Sequence, residues 1–447
     1  MTFLERRAVR NFISQLWMRR DEGLLTKIVL FPLWVVSLFV AVGVRLRRAL
    51  EPRKAHRAGV PVISVGNVTV GGTGKTPVTI ELARRLTGKY GRRAAILSRG
   101  YGRQKKDVPI EPVVVSDGEN VLTTAAEGGD EPVLMARALP GVPVVVCPDR
   151  TAAAALAIGK FGAQVLLLDD GFQHLKLARD LDIVLTDGSN PVGNGFLMPR
   201  GPLREPFGAI RHAGLAWITR MERSQPGEME ALAARLEKMT GRPPVFSATE
   251  VSELTDVSGT RLDEELLREK KVLLASGLGR PETFRTTAES LGCLIAGERQ
   301  FDDHHVFDAG DVRGLIQKAD ELGADFIAVT AKDAVKLAPL LTGAGGPKAG
   351  SEAVEKEKTG GDPEKHEDGQ PAESPVENPE VLNSSAPTAS APVENSSAAA
   401  VGAEPAPSAV QAAERSAGFA RFVVVHIRLK IISGEEVLDE AIRQVLP

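Results

Sequence analysis

Residues 60–86 read VPVISVGNVTVGGTGKTPVTIELARRL, and this stretch decides the fold. The near-continuous apolar residues at 62–65 predict a strand that is buried on both faces, as in a parallel sheet. A glycine-rich turn follows, and a helical pattern over 77–86 starts directly after Gly74-Lys75-Thr76. Strand, glycine-rich turn and helix in this order are typical of a phosphate-binding loop.

The turn GGTGKT offers the groups that a polyphosphate needs. We expect its backbone N–H groups to point at phosphate oxygens, the Lys75 ammonium to reach the outer phosphates, and the Thr76 hydroxyl to face Mg²⁺. The strict pattern GxxxxGK[ST] has glycine where this chain has Thr69, so the loop is a variant. The predicted phosphate-binding residues of the loop are Gly71, Gly72, Thr73, Gly74, Lys75 and Thr76.

A second nucleotide-site signal is QVLLLDDGFQH, residues 164–174. It predicts a buried strand that ends in Asp169 and Asp170. Folds with a phosphate loop hold Mg²⁺ with a carboxylate at such a strand end, so we interpret this pair as a metal site. The string VTAKDAV at 329–335 looks like a guanine-reading N-K-x-D motif, but Lys332 and Asp333 are adjacent. We therefore infer no GTP specificity.

The strand pattern beyond the loop predicts a P-loop NTPase-like α/β fold, a mostly parallel sheet with helices on both faces. Apolar runs recur at 94–98, 113–115, 142–147, 165–169, 182–186 and 215–219, with helical patterns such as 151–161 between them. A smaller second α/β domain is predicted from strand patterns at 272–275, 293–296 and 325–330 and a helical pattern at 311–321. The predicted organisation is an N-terminal segment 1–50, a P-loop core 51–265, the second domain 266–342, an insertion 343–417, and a strand and helix in 418–447 that complete the second domain.

Composition sets the insertion apart from the rest of the chain. Residues 343–417 are rich in Ala, Gly, Pro, Ser and Glu, lack aromatics, and carry 13 acidic against 5 basic residues. Such a segment buries too little apolar surface to fold, so we predict disorder. The remainder carries 50 basic against 45 acidic residues, which suits an anionic substrate or surface but is too weak an excess for nucleic acid. Only Cys147 and Cys293 occur, which indicates a reducing compartment.

An uncharged apolar run occupies residues 28–44. As a helix it would be about 26 Å long, just short of the roughly 30 Å hydrocarbon core of a bilayer. Basic residues flank it on both sides, as suits lipid headgroups. The run predicts a membrane helix, and both a single span and an interfacial anchor remain open.

Four further polar clusters are candidate sites. GGDEPVLMAR places Asp130 and Glu131 at a turn before a helix, where acids also occur for purely structural reasons. SRGYGR follows a strand and contains Tyr101, and GNGFLMPRGPLREP holds Arg200, Arg204 and Glu205 in a loop stiffened by Pro and Gly. FDDHHVF contains Asp303 and His304, for which a metal site and a carboxylate–imidazole pair for proton handling are both open.

Taken together, these strings resemble the tetraacyldisaccharide 4'-kinase family, the lipid A 4'-kinases. The matching pieces are GNVTVGGTGKTP, SRGYGR, GDEPVLMAR, DDGFQHLKLARDLDIVLTD, GNGFLMPRGPLREP, DDHHVF and KDAVK, in the family's order. The resemblance implies an enzyme on the cytoplasmic face of the bacterial inner membrane. It would use ATP and Mg²⁺ to phosphorylate the 4'-hydroxyl of an acylated glucosamine disaccharide 1-phosphate, with inner-membrane lipids around it, no nucleic acid and no evident protein partner.

The resemblance also implies a role for each matching residue. Asp130 would be the general base, His304 would orient or tune it, Lys75 would cradle phosphate, and Arg204 would stabilise the transferred phosphoryl group. Tyr101 and Gln173 would lie near the nucleotide. The implied Mg²⁺ residues are Thr76, Asp169 and Glu205. Further possible site residues are Glu131, Asp170, Asp303 and Arg200. The family's TEKD-like motif reads TAKD here, so any role of its acid is lost at Ala331.

A membrane-tethered P-loop ATPase switch is the rival interpretation. Such switches carry a GGxGKT loop, usually with a second lysine early in it, but this chain has Val70 just before Gly71. The rival also leaves GDEP, DDGFQH and DDHH unexplained. Phosphate incorporation into a lipid-extractable product, rather than bare ATP hydrolysis, separates the two.

The composition of the insertion generates the first prediction. Replacing residues 345–416 by a short Gly/Ser linker should leave the kinase active, because each doubling of a flexible loop changes its closure cost by only about 0.6 kcal/mol. The measurements are the melting temperature and the turnover of the deletion variant. A variant that is expressed but does not fold would overturn the interpretation of 343–417 as a dispensable insertion.

Overall fold

A single large sheet organises the chain. The structure is a computed structural model that describes residues 16–17, 23–51, 55–100, 111–223, 226–342 and 421–447. The strands are β1 (Val62–Asn67), β2 (Ala94–Ser98), β3 (Val113–Ser116), β4 (Val144–Val146), β5 (Val165–Asp169), β6 (Leu181–Asp187), β7 (Leu215–Thr219), β8 (Val245–Thr255), β9 (Arg261–Leu262), β10 (Lys271–Ser276), β11 (Leu294–Gln300), β12 (Phe326–Thr330) and β13 (Phe422–Ser433). They form one 13-stranded sheet in the order β11-β10-β12-β13-β8-β7-β6-β1-β5-β2-β4-β3, with β9 beside β8.

The helices pack against this sheet or precede it. They are α1 (Leu24–Val29), α2 (Phe31–Leu50), α3 (Lys75–Arg84), α4 (Ala125–Gly128), α5 (Asp130–Ala138), α6 (Arg150–Phe161), α7 (Pro226–Thr240), α8 (Glu282–Ser290), α9 (Ala309–Glu321), α10 (Ala331–Thr342) and α11 (Glu435–Val445). A π-helical turn at Arg85–Lys89 continues α3, and 3₁₀ turns occur at Phe207–His212 and Met221–Arg223.

The first block of the sheet surrounds the phosphate loop. Strands β4, β2, β5, β1, β6, β7 and β8 are parallel, and only the edge strand β3 runs antiparallel. Ile63 and Val65 of β1 face one core together with α3, whereas Val62 faces another core together with α6. The prediction of a mostly parallel α/β sheet is confirmed, and burial on both faces explains why these strands are almost wholly apolar.

The second block has the opposite direction. Strands β11, β10, β12 and β13 are parallel to one another, but β13 pairs antiparallel with β8. The start of β8 pairs with β7, and the start of β13 pairs with both β12 and the end of β8. The carboxyl ends of the second block therefore point back toward the carboxyl ends of the first. The predicted boundary at 265/266 falls between β9 and β10, within this continuous sheet.

The segment after residue 420 contributes to both blocks. Phe422 and Val424 of β13 pack in the core with α9 and α10. In contrast, Leu438 and Ile442 of α11 pack in the core of the phosphate-loop block. We expected residues 418–447 to complete the second domain, but the strand lies there while the helix covers the other block. The apolar residues of α11 account for this placement, since Leu438, Ala441 and Ile442 are buried together in the phosphate-loop core.

The apolar run near the N-terminus forms two helices rather than one. Helix α1 ends at Val29 and α2 begins at Phe31, directly before Pro32. Proline lacks an N–H and disfavours helical geometry in the residue before it, so it occurs most readily in a first turn. Among the described residues, no helix is long and apolar enough to cross a membrane.

Candidate active site

The phosphate loop connects β1 to α3 as predicted. Gly71 and Gly74 have φ of +104° and +82°, a region that favours glycine, and Gly74 directly precedes the helix. Asn67, the last residue of β1, donates from Nδ2 to Thr73 Oγ1 at 3.0 Å. Lys75 Nζ donates to Asn67 Oδ1 at 3.4 Å, so the strand end holds both the loop and its lysine. Thr76 is the second residue of α3 and directly follows the loop lysine.

Thr69 occupies the place of the first glycine of the strict motif. It is buried and forms an isolated antiparallel bridge with Leu203 of the GNGFLMPRGPLREP loop. Val70 N donates to Pro202 O at 2.7 Å, and Arg204 N donates to Val68 O at 2.8 Å. Backbone hydrogen bonds therefore join the variant loop to the segment that carries Arg204 and Glu205.

An ionic cluster braces the tip of the loop from the ends of other strands. Arg220, directly after β7, donates from Nη1 to Gly72 O at 2.7 Å and pairs with Asp187 Oδ2 at 2.6 Å. Arg280, which follows β10, pairs with the same oxygen. Burial alone would raise the pKa of Asp187, but the two guanidiniums outweigh it and lower that pKa. Arg220 has φ of +60°, an uncommon conformation for a side-chain-bearing residue, which its two contacts with Gly72 and Asp187 hold in place.

Asp170 pairs with Lys75 and Arg204, the two cations that we expect to bind phosphate. Its carboxylate lies 3.5 Å from Lys75 Nζ and accepts from Arg204 Nη1 at 2.9 and 3.0 Å. Burial would raise the pKa of Asp170, but these two cations outweigh it and lower that pKa. Lys75 and Arg204 thus converge on one point directly beside the loop, where a polyphosphate can take the place of the carboxylate as their partner.

The pKa of Asp169 shifts in the opposite direction to that of Asp170, because few groups stabilise its buried carboxylate in the charged form. Asp169 ends β5, is 3% exposed, and accepts from Ser98 Oγ at 3.1 Å through Oδ2. Its Oδ1 has no hydrogen-bond partner among the described residues. Burial, followed by the nearby charges of Glu131 and Asp170, raises the pKa of Asp169 to about 7. A buried carboxylate oxygen without a partner calls for a cation or a proton.

Asp130 and His304 meet across the facing edges of the two blocks. Asp130 is the first residue of α5 and is 3% exposed, while His304 follows β11 and has φ of +61°. His304 Nδ1 lies 2.9 and 3.0 Å from the two carboxylate oxygens of Asp130. The contact is a carboxylate–imidazole pair, one of the two alternatives left open for FDDHHVF, and its carboxylate comes from Asp130 rather than from that string.

Two lysines of α10 complete the surroundings of this pair. Lys336 Nζ donates to Asp130 Oδ2 at 3.4 Å. Lys332 Nζ donates to Glu131 at 3.1 Å and to Asp303 at 3.0 Å. Burial would raise the pKa of Asp130, but the His304 hydrogen bond and the two lysines hold that pKa well below its usual range. Asp130 is therefore ionised throughout the physiological range.

The remaining predicted residues lie in different surroundings. Gln173 Nε2 donates to Asn67 O at 2.9 Å, which places Gln173 at the base of the loop. Glu205 is 4% exposed, and its Oε2 pairs with Arg48 of α2. Arg200 is buried, with its guanidinium 4.5 Å over the ring of Phe196. Tyr101 lies outside the described residues.

Several charged residues of the site escaped the sequence analysis. Arg150 at the start of α6 is buried close to Asp169 and Asp170, and its Nε has no partner among the described residues. Burial is the main cause that lowers its pKa. All of the missed residues except Arg48 lie at the carboxyl end of a strand or in the segment that follows it, so that rule alone could have flagged them. The missed residues are Arg48, Arg150, Asp187, Arg220, Arg280, Lys332 and Lys336.

The donor set around Asp169 fits a magnesium ion that arrives with phosphates. In the part of the chain that the structure describes, no group of three His, Cys, Asp or Glu side chains could hold a metal ion alone. Mg²⁺ is usually bound by one or two carboxylates together with substrate phosphates and water. The unpartnered Oδ1 of Asp169 beside the phosphate loop matches that mode of binding.

Comparisons with known proteins agree with this arrangement. The family model "Tetraacyldisaccharide-1-P 4'-kinase" (LpxK) matches residues 29–345. The tetraacyldisaccharide 4'-kinase of Anaeromyxobacter dehalogenans strain 2CP-C is 45% identical over 338 residues, which cover 75% of this chain and 88% of that protein. The one from Syntrophus aciditrophicus is 45% identical over 321 residues, which cover 68% and 84%.

A solved structure extends the agreement to the fold. The "apo" form of LpxK from Aquifex aeolicus, in complex with ATP, superposes with a TM-score of 0.60 at 26% identity, over 94% of this chain and 99% of that one. The phosphate loop, the Asp169–Asp170 strand end and the Asp130–His304 pair thus occur in a chain that matches this family along most of its length. The chain belongs to the tetraacyldisaccharide-1-P 4'-kinase family.

Proposed function

We propose that this kinase uses its two facing sheet edges to transfer the γ-phosphoryl group of Mg²⁺·ATP to the 4'-hydroxyl of a tetraacyldisaccharide 1-phosphate. The observation that carries the proposal is the 2.9 Å contact between Asp130 and His304, one from each block, beside the phosphate loop. Family membership makes the chain an ATP-dependent lipid A 4'-kinase and sets aside the ATPase-switch interpretation.

The phosphate-loop block holds the nucleotide in this proposal. Backbone N–H groups of residues 71–76 and the Lys75 ammonium bind the phosphates, and Arg204 moves from Asp170 to the transferred group. Asp169, Thr76 and Glu205 hold Mg²⁺, which when bound neutralises charge on the phosphate oxygens. Gln173 and Tyr101 lie near the nucleotide.

The Asp130–His304 pair handles the proton. The new bond forms between the sugar oxygen and the γ-phosphorus as the bond to ADP breaks, and the hydroxyl proton passes to the pair. A carboxylate with a strongly lowered pKa is a weak base alone, so His304 acts with Asp130 as one unit. Lys332 ties Glu131 and Asp303 together and thereby keeps the two blocks in register.

Helix α2 anchors the enzyme at the cytoplasmic face of the inner membrane in the same proposal. One face of α2 contacts the protein through Ser37 and Arg48, whereas Phe31, Phe39 and Val42 on the other side are 57%, 73% and 61% exposed. An exposed apolar stripe on a helix with basic residues near its end is typical of an interfacial anchor. The acylated disaccharide would be met at that surface.

The direct test of the proposed reaction is a transfer assay with γ-labelled ATP and the disaccharide lipid, followed by organic extraction. We expect label in the lipid phase and, after hydrolysis, on the 4' position. Label found only as free inorganic phosphate would contradict the assignment of the acceptor.

Replacing the proton-handling pair should slow the chemical step. Asp130→Asn keeps the size of the side chain and removes the charge, so kcat should fall roughly 10²- to 10⁴-fold with little change in ATP affinity. His304→Ala should act similarly, and the double variant should be little worse than the worse single one. Single-turnover kinetics check this. Additive losses in the double variant would mean that the two residues act separately.

The raised pKa of Asp169 predicts opposite effects on stability and on metal binding. A carboxyl whose pKa is higher in the folded than in the unfolded state stabilises the fold below its unfolded value, and this stabilisation is lost as pH rises through about 7. Asp169→Asn should therefore raise the melting temperature of the nucleotide-free enzyme by a few degrees, more at pH 8 than at pH 5.

The same substitution should weaken Mn²⁺ binding in the presence of ATP, whereas wild-type affinity should rise with pH up to about 7. Calorimetry and metal titration measure the two effects. A lower melting temperature at pH 8 together with unchanged metal affinity would contradict the role of Asp169.

Removing the exposed apolar surface of α2 should release the enzyme from membranes. Phe39→Ser with Val42→Ser should reduce binding to anionic vesicles more than tenfold, because each buried side chain of this kind contributes about 1.5–3 kcal/mol. Vesicle sedimentation measures the change. Leu294→Ser is the matched control, since Leu294 is 55% exposed on β11. Equal release by the control would place the membrane contact elsewhere.

A further inference from the structure

One basic residue of α2 faces inward, toward the catalytic loops. Arg48 pairs through Nε with Glu205, donates from Nη2 to Phe172 O at 3.4 Å, and places its guanidinium 4.2 Å over the Phe172 ring. The side chains of Arg48 and Glu205 are only 13% and 5% exposed. Surface ion pairs contribute little, but a buried charge that loses its partner costs several kcal/mol. This contact therefore constrains both side chains.

The contacts of Arg48 connect α2 to the phosphate loop. Phe172 is fully buried against β1, and a Cβ added at Gly66 would come within 2.5 Å of the Phe172 Cβ. Phe172 also follows Asp169 and Asp170 in the chain. Glu205 follows Arg204, whose backbone donates to Val68 O at 2.8 Å. Arg48 thus bridges the two segments that carry the predicted metal and phosphate ligands.

Two further contacts seat α2 on these segments. Ser37 Oγ donates to Leu197 O at 2.8 Å and accepts from Arg200 N at 3.3 Å. Arg47 Nη2 donates to Gln173 O at 3.1 Å. The inward side of α2 therefore meets the GNGFLMPRGPLREP loop near its middle and the DDGFQH loop at its end. A helix that served only to bind lipid would need none of these polar contacts.

We propose that Arg48 is a positioning residue for phosphoryl transfer, which holds the Glu205 carboxylate in place for metal binding while the outward face of the same helix binds the membrane. The proposal rests on the proposed function of Glu205 as a magnesium residue. Carboxylates that bind metals are commonly oriented by a hydrogen-bond partner, and loss of that partner typically costs 10- to 100-fold in metal affinity or activity. Arg48 supplies such a partner from outside the phosphate-loop block.

The test measures Mn²⁺ binding by electron paramagnetic resonance in the presence of a non-hydrolysable ATP analogue, using the full chain. Arg48→Gln should weaken Mn²⁺ binding roughly tenfold or more. Arg48→Lys keeps the charge but loses the stacking on Phe172, so its affinity should lie between those of Arg48→Gln and wild type. Arg45→Gln is the matched control, because Arg45 is exposed on the same helix, and it should bind Mn²⁺ as wild type does.

A double variant guards against simple unfolding. Arg48→Gln with Glu205→Gln leaves no buried unpaired charge, and it should bind Mn²⁺ no more weakly than Glu205→Gln alone. Additive losses would show that Arg48 acts by another route and would overturn the proposal. Wild-type Mn²⁺ affinity in Arg48→Gln, with only a lower melting temperature, would reduce Arg48 to a structural role and overturn it as well.

Vesicle sedimentation separates this proposal from the membrane anchor. Arg48→Gln should still bind anionic vesicles, whereas Phe39→Ser with Val42→Ser should lose vesicle binding and keep wild-type Mn²⁺ affinity. If Glu205→Gln alone left Mn²⁺ binding unchanged, the assignment of Glu205 to the metal would fail, and the role of Arg48 would fail with it. If only the vesicle result failed, the anchor would be wrong and the positioning role would stand.

Discussion

The antiparallel pairing of β8 with β13 is the constraint on which the site depends. Each block on its own is an ordinary parallel sheet whose functional residues collect at the carboxyl ends of its strands. Because β13 runs opposite to β8, the carboxyl edge of one block faces that of the other. Only this reversal brings His304 to Asp130 and Arg280 to Asp187. A parallel pairing at the same place would put those residues on opposite edges of the sheet.

The charges of the site form a set of exchangeable partners. Asp170 holds Lys75 and Arg204 beside the phosphate loop. A ligand that replaces Asp170 therefore meets two side chains that are already ordered. Asp130 is surrounded by His304 and two lysines, which fix its ionised form. Asp169 forms no ion pair within the part of the chain that the structure describes, and burial raises its pKa. Binding of a phosphate chain with its metal would place a cation beside Asp169. The phosphates would at the same time replace Asp170 as the partner of Lys75 and Arg204.

Much of the fold and of the site could be predicted from the sequence wherever a local residue pattern follows directly from burial. Strands β1, β2, β5, β6 and β7 were predicted almost to the residue, because strands covered on both faces must be apolar throughout. The phosphate loop and the Asp169–Asp170 strand end were found from residue types and order alone. The sequence analysis missed β8. Ser, Thr and Glu interrupt its apolar residues, and most of the strand is only partly buried, so no continuous apolar run marks it.

The missed site residues have a different cause. Arg220 and Arg280 lie in strings without a recognisable motif, and Lys332 lies in KDAVK without an assigned role. The importance of all three comes from which strand ends meet. Strand order across 13 strands depends on pairings between residues hundreds of positions apart. Arg48 was the hardest of these residues to predict, because it lies in a basic cluster that is typical of lipid-headgroup binding. Nothing in its neighbours signals that one of these arginines turns inward to Glu205.

The central position of β13 has a consequence for synthesis on the ribosome. The phosphate-loop block is complete up to β8 once residue 255 has emerged, yet β8 and β12 keep open edges until residues 422–433 arrive between them. The stretch from 343 to 420 adds about 80 residues to that interval, on the order of ten seconds at translation rates of roughly 5–20 residues per second. Unpaired strand edges invite pairing with other chains. Nascent chains of this protein therefore pass through a period in which two strand edges are open to pairing with other chains.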